Sequence, residues 1–348
     1  LQAFADACNY ANQEVDPKTT SKTTIQSRVY QEIRSRFGLS ANLAVRACAR
    51  VGANRKTAKA KKRKVEEFKP TSVDYDARIF SFREKDWTVS LTLVNGRERF
   101  PLELGNYQRG KLKGQSPTSA QLCKHRDGQY YIHIQVKSDP PKQRETDNFL
   151  GVDLGRTDIA VTSDGQKWSG EPVKNTRDKF ARVRASIQRK GTKGAKRLLK
   201  RLSGKERRFQ VWVNHRISRR IVDTAATLNA TIVLEDLTGI RERTNKQRRS
   251  QTERRRSNSW AFYQMRQFLT YKALAAGVPL MTVNPAYTSQ TCHCCLHIGE
   301  RSGKRFKCSN CGWIGDADYN GSLMIAISGG AASRPERLSC ELPSVAAA

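Results

Sequence analysis

Long apolar runs are absent from this sequence. No stretch of eighteen or more apolar residues occurs, and neither a signal peptide nor a lipidation motif is visible. No segment therefore offers the roughly 20 apolar residues that a membrane-spanning helix requires. Acid is scarce as well: 32 Asp and Glu stand against 64 Lys and Arg, for a formal net charge of +32. A compact chain so charged repels itself unless a polyanion neutralises it, which points to nucleic acid. An acidic membrane surface, the competing polyanion, finds no apolar anchor here. A disulfide framework is missing too. Cys8, Cys48, Cys123 and Cys340 are scattered singly, whereas the other five cysteines crowd into residues 292–311. That is the usage of a reduced compartment with one metal site. There is no internal repeat, and the 348 residues suffice for two or three domains. The chain opens on Leu1, so further residues are expected before it.

Texture changes along the chain divide it. Residues 1–68 read as helical: Val29, Ile33 and Phe37 fall on one stripe, Gly38 is a stop and Ser40 a candidate N-cap. This region ends in "NRKTAKAKKRK", seven basic residues in eleven. Residues 69–147 alternate at period two between turn signals, as in "RIFSFREKDWTVSLTLV" and "QYYIHIQVK", and predict a small antiparallel β-barrel. From residue 148 a near-continuous apolar strand ends at Asp153, and a second strand, 159–162, leads into an Asp164–Gly165 hairpin turn. A basic helix pair follows, with seventeen Lys and Arg against two acids over 177–220. Next come the strand "ATIVLEDL", a polar basic loop over 241–256, the amphipathic helix "SWAFYQMRQFLTYKALAAGV", a short strand and a last helix. After Ile327 the Gly/Ala/Ser/Pro tail predicts disorder.

That element order is the order of an RNase H-like α/β fold, and three acids stand where such a sheet would use them. Asp153 and Glu235 close strands, and Asp318 opens the last helix. Phosphodiester cleavage assisted by two Mg²⁺ ions, roughly 4 Å apart, needs hard oxygen ligands converging from different elements. Each acid also has an ordinary explanation: Asp153 as a turn residue before Gly155, Glu235 as an exposed strand-end acid, and Asp316 or Asp318 as a helix N-cap. Their joint placement at element ends, in so basic a chain, favours a site. Asp158, Asp164 and Asp236 read as turn or solvent residues, and His215 as a packed histidine rather than a catalyst.

Cys292, Cys295, Cys308 and Cys311 give CxxC-x12-CxxC, the spacing of a four-thiolate Zn²⁺ site with no open position for chemistry. Within "CHCC" both Cys294 and His293 compete as ligands, and Leu296 replaces the glycine common after such a pair. The knuckle reads as an excursion that delivers Asp318 to the sheet.

The motifs "GVDLG", "NHRISRRIV", "IVLEDLTGI", "SWAFYQMRQFLTYKA", "NPAYTSQTC", "FKCSNCGW" and "DADYN", in this order, resemble the RuvC-like half of the TnpB family. These are transposon-encoded RNA-guided DNA nucleases related to type V CRISPR effectors. The resemblance covers about 148–327, and more loosely the regions before it. It implies a multidomain α+β protein: a helical recognition domain (1–68), a wedge β-barrel (69–147) that lacks its leading strand, and an RNase H-like (RuvC) nuclease domain (148–288 and 315–327). A zinc ribbon (289–314) is inserted in that nuclease domain, and a tail (328–348) follows it. It also implies that Asp153, Glu235 and Asp318 are the catalytic acids and bind two Mg²⁺. Asp318 is preferred to Asp316 because the family aspartate lies two residues before an asparagine, here Asn320. By the same resemblance Ser289 and Gln290 would lie near the site, with a role open to them in positioning nucleic acid, and Gly321-Ser322 departs from the alanines common there. The implied partners are a guide RNA and a double-stranded DNA target with a short adjacent motif, in a prokaryotic, nucleoid-associated cytoplasm. Rival expectations are a catalytically silent RNA-guided repressor and a guide-independent accessory of transposition.

Overall fold

A computed structural model describes residues 1–125, 127–239, 250 and 262–333. The basic loop at 241–256, apart from Ser250, and the tail beyond 333 lie outside the described residues. The chain forms two compact units, Leu1–Asp139 and Pro140–Ala348.

In the first unit, α1 (Gln2–Glu14), α2 (Lys22–Phe37) and α3 (Ala41–Ala60) pack together. The stripe Val29 and Ile33 is buried, with Phe37 packed against the same core. Gly38 ends α2 at φ +62°, a left-handed conformation that glycine adopts without a Cβ penalty. Ser40 does precede α3, but its hydroxyl makes no capping bond and is buried without a partner. Six strands follow: β1 (Ser72–Asp76), β2 (Phe80–Arg83), β3 (Thr88–Leu93), β4 (Gly96–Pro101), β5 (Ser119–Lys124) and β6 (Tyr130–Gln135). They do not close into a barrel. They make two separate antiparallel sheets, ordered β1-β5-β6 and β2-β3-β4. Strand β4, with charges on both faces and Pro101 at its end, is exposed along its length and offers little to a further partner. The helix α4 (Asn106–Leu112), unforeseen in the alternating pattern, carries the chain from β4 to β5.

The second unit is built on a five-stranded sheet ordered β9-β8-β7-β10-β11, from β7 (Asn148–Asp153), β8 (Asp158–Thr162), β9 (Lys167–Ser169), β10 (Ala230–Glu235) and β11 (Leu280–Val283). Strands β7, β10 and β11 run parallel, while β8 and β9 pair antiparallel. The apolar runs in β7 and β10 reflect burial on both faces. The 177–220 stretch forms three helices rather than two: α5 (Glu171–Lys190), α6 (Lys193–Leu202) and α7 (Lys205–Thr227). Gly191 and Gly204 adopt φ +62° and +84° and break the run, and Thr192 caps α6 by accepting from the Ala195 N–H at 3.1 Å. Ile217, Ile221 and Ala225 of α7 join Met265 and Leu269 of α8 (Phe262–Ala275) in a core with Leu150, Val152, Ile232 and Leu234.

The last helix, α9 (Ala317–Ser333), runs past the Ile327 at which the sequence places its end. It lies so close on β7 that a Cβ on Gly151 would stand 2.0 Å from the Ser322 carbonyl oxygen. Between β11 and α9 the chain makes a small antiparallel sheet of β12 (Glu300–Ser302), β13 (Arg305–Lys307) and β14 (Ile314–Asp316).

Candidate active site and cysteine cluster

Strands β7 and β10 are parallel neighbours with Val152 opposite Leu234. Asp153 and Glu235, one residue on, therefore emerge at the same edge, outside the carboxyl ends of parallel strands where α/β sheets place their sites. The close seat of α9 on Gly151 brings its first turn to that edge, and Gly321 leaves room beside Asp153: a Cβ there would lie 3.4 Å from Asp153 Oδ2. Burial pushes the Asp153 carboxyl up to about 7, helped by the negative charges of Glu235 and Asp318 and opposed by Arg301. Burial also raises Glu235, against the hydroxyl of buried Thr288, which donates to Glu235 Oε1, and the charge of Arg301. Asp318 receives Arg301 Nη2 at 2.8 Å on Oδ1 and Lys304 Nζ at 3.1 Å on Oδ2.

The structure thus brings Asp153, Glu235 and Asp318 into one electrostatically coupled group. Asp316 does something else. Its Oδ1 accepts the N–H groups of Asp318 and Tyr319 at 2.8 and 3.1 Å, capping α9, and its Oδ2 pairs with Lys167 at 2.9 Å. Among the other acids, Asp164 accepts from Thr162 and Gln166 in its turn, and Asp236 holds Thr238 and Arg266 near the surface. Asp158 departs from the turn role expected of it. It is 5% exposed, at an irregularity in β8, and lies between Lys167 and Lys304. His215 stacks on Phe268 with ring centroids 3.9 Å apart, as a packed residue.

Three carboxylates near one sheet edge, with basic side chains as counter-charges, offer the hard oxygens that a divalent cation prefers, but their oxygens do not all lie within 4.8 Å of one another as the cysteine sulfurs do. Arg301 acts on all three acids, so positive charge is what this arrangement lacks without it. Sequence reasoning missed Thr288, Arg301, Lys304 and Asp158. None belongs to a metal-ligand motif, and only the tertiary fold sets them among the acids.

The cysteine cluster is tighter. The sulfurs of Cys292, Cys295, Cys308 and Cys311 all lie within 4.8 Å of one another, with Cys292–Cys311 at 3.6 Å and Cys295–Cys308 at 3.5 Å. Those separations exceed a disulfide's by about 1.5 Å and approach the roughly 3.8 Å edge of a tetrahedron with Zn–S bonds of about 2.3 Å. The Asn310 side chain, chiefly, and the His297 N–H lower the Cys295 thiol, whereas Cys292, chiefly through burial, and Cys311 are raised. The cluster is compatible with zinc. Cys294 and His293 also form a group with Cys292, with His293 Nε2 3.3 Å from Cys294 Sγ. The His293 backbone N–H and Nδ1 meet Asn320 Oδ1 at 3.1 and 2.9 Å, while Asn320 Nδ2 donates to the Thr291 carbonyl at 2.7 Å. Leu296 stands at φ +61°, matching Gly312 at +76° after the second cysteine pair.

Comparison with known proteins bears on this unit. A family model described as "Probable transposase" matches residues 133–241, and one described as "Cas12f1-like, TNB domain" matches 262–325. The first match holds Asp153 and Glu235, and the second holds Asp318 and the four cysteines. A TnpB-like protein of Methanocaldococcus jannaschii is 36% identical over 150 residues, covering 42% of this chain and 53% of that protein. The chain is similar to TnpB-like proteins. The CRISPR-associated endodeoxyribonuclease Cas12f1 of Sulfoacidibacillus thermotolerans is 33% identical over 240 residues, 62% of this chain and 54% of that protein. The chain thus spans about half the length of the curated TnpB and Cas12f1 relatives it matches. A cryo-EM structure of a Cas12f1–sgRNA–target DNA complex superposes with a TM-score of 0.63 at 16% identity, over 93% of this chain and 79% of that one. This is a likeness of fold: mixed α/β and multidomain.

Proposed function

We propose that this chain is an RNA-guided, Mg²⁺-dependent DNA endonuclease of a transposon. Its second unit would be an RNase H-like (RuvC-like) nuclease domain with Asp153, Glu235 and Asp318 as catalytic acids. The inserted sheet would be a ribbon holding one structural Zn²⁺ through Cys292, Cys295, Cys308 and Cys311. What supports the proposal is that Asp153 and Glu235 close neighbouring parallel strands and that the charges of Glu235 and Asp318 bear on Asp153, in a chain of net charge +32. The sheet order, with the hairpin strands β8 and β9 on one side of β7 and parallel β10 and β11 on the other, supports the RNase H-like reading.

Bound divalent cations supply activation of the attacking water and neutralisation of the leaving oxygen. The protein's part is to hold and orient. Asp153 and Glu235 stand at strand ends, the Thr288 hydroxyl donates to Glu235, and Asp316 caps the first turn of α9, which carries Asp318. Water attack would leave 5′-phosphate and 3′-hydroxyl ends. The basic helices α5–α7 would face a guide RNA and its heteroduplex with DNA, and base pairing would supply the target choice that charge cannot. The first unit would help read a short motif beside the target.

The test is to purify the chain from cells expressing its flanking locus, sequence the co-purifying RNA, and assay a DNA target matched to that RNA. Cleavage should need the RNA and a divalent cation. Equal cleavage after complete RNA removal would leave a general nuclease, and guided binding without cleavage would leave a repressor.

A further inference from the structure

Asp158 is a buried acid that the proposed chemistry does not use. Its Oδ2 accepts no hydrogen bond of good geometry and is held by charge alone, between Lys304 and Lys167, the latter at 3.1 Å. Each lysine also reaches a second carboxylate. Lys167 Nζ is 2.9 Å from Asp316 Oδ2, and Lys304 Nζ is 3.1 Å from Asp318 Oδ2. The charges therefore alternate along one chain: Arg301, Asp318, Lys304, Asp158, Lys167, Asp316.

Lys304 sits in the two-residue turn between β12 and β13, and its carbonyl accepts the Ala317 N–H at 2.7 Å. The turn is thereby fixed to the start of α9, and its ammonium is shared between Asp158 and Asp318. A cation approaching Asp318 meets this ammonium, because two positive charges compete for the same oxygen. Asp158 supplies a second carboxylate for this ammonium.

We propose that Asp158 is a positioning residue that draws the Lys304 ammonium away from Asp318 and so keeps Asp318 Oδ2 available to a divalent cation. The inference rests on the reading of Asp318 as a metal-binding acid. With Asp158 neutral, Lys304 keeps Asp318 as its one anion and competes harder with the metal. With Lys304 neutral, that competition disappears and Asp158 has nothing to redirect. The sequence shows none of this, since Asp158 reads as a turn residue and Lys304 as one lysine among many.

The test is Mn²⁺ binding to the zinc-loaded chain without nucleic acid, read from the electron paramagnetic resonance signal of free Mn²⁺. Asp318→Asn comes first: it should abolish the tightest Mn²⁺ site, and if it does not, the reading of the acids itself fails. Given that loss, Asp158→Asn should weaken Mn²⁺ binding by about five- to tenfold, the scale of coupling within one ion-pair network. Lys304→Met should tighten it, and the double variant should behave as Lys304→Met. Unchanged affinity in Asp158→Asn, or a double variant as weak as Asp158→Asn, would overturn the proposal. Should Asp158→Asn fail to fold, Lys304→Met alone decides, because unchanged or weaker Mn²⁺ binding in that variant removes the competition on which the proposal depends.

Discussion

Replacing Asp153 by Asn should make the metal-free chain more stable at pH 8, although it removes a proposed catalytic acid. Burial first, then Glu235 and Asp318, raises the Asp153 carboxyl from 3.8 to about 7. Between those values the folded state binds more protons at this site than the unfolded state does. Stability therefore falls as pH rises through the window and is flat above it. A rise of about three units, at 1.36 kcal/mol each, corresponds to about 4 kcal/mol lost by pH 8. That figure is an upper bound for the gain, because an amide must still be accommodated in the same buried space. Asn is close in shape to the protonated acid, so the two chains converge only below pH 3.8, and at pH 5, inside the window, about 1.6 kcal/mol of the difference remains. The assay is urea unfolding of zinc-loaded, Mg²⁺-free protein at both pH values, following the second unit. The Asn variant's advantage should be larger at pH 8 than at pH 5 by about 2 kcal/mol or more. A variant less stable than wild type at pH 8, or a pH-independent difference, would refute the account of three crowded acids.

Other outcomes follow from the same geometry. Asp318→Ala should abolish DNA cleavage with nucleic-acid binding retained, whereas Asp316→Ala should lower the melting temperature by the loss of a helix cap, about 1 kcal/mol, with cleavage much less affected; the reverse pattern would exchange their roles. One zinc per chain is expected by elemental analysis, and a Cys308→Ser, Cys311→Ser double variant should bind none and unfold at lower temperature. Leu296→Gly should stabilise the zinc-loaded chain by about 1 kcal/mol, because Leu296 holds a left-handed backbone conformation that costs a side chain roughly that much. A destabilised Leu296→Gly in thermal unfolding would show that its half-exposed side chain matters more than its backbone.

The parts legible in the sequence are those where one local signal decides. The apolar runs "FLGV" and "TIVL" announce strands buried on both faces, and the CxxC pairs announce their cluster. The 177–220 region was legible as helical but not in its divisions, because Gly191 and Gly204 act as breaks only through φ values that a charge pattern does not reveal. The expected barrel failed for a related reason. Period-two alternation predicts strands, but which edges pair depends on the connections, and here α4 lets β5 return to β1. Asp158 was misjudged because a strand irregularity turned a polar position inward. Thr288 and Arg301 have no motif at all, and only folding sets a hydroxyl against Glu235 and a guanidinium among three acids.

The placement of the cysteine cluster beside the acids has a mechanical logic. Asp318 must be held to within a fraction of an ångström if a cation is to meet three carboxylates together, yet it lies on the first turn of a helix, where backbone groups lack intrahelical partners. The chain answers from several sides. Asp316 caps the turn, the Lys304 carbonyl takes the Ala317 N–H, Arg301 pairs with Asp318, and Asn320 ties the helix to His293 and Thr291 beside the first cysteine pair. Four of those tethers, through Lys304, Arg301, His293 and Thr291, come from the segment that the four thiolates organise. A metal bound there would contribute folding free energy directly. Zinc loss should therefore be felt at Asp318 before it is felt at Asp153 or Glu235, whose strands are secured by the sheet.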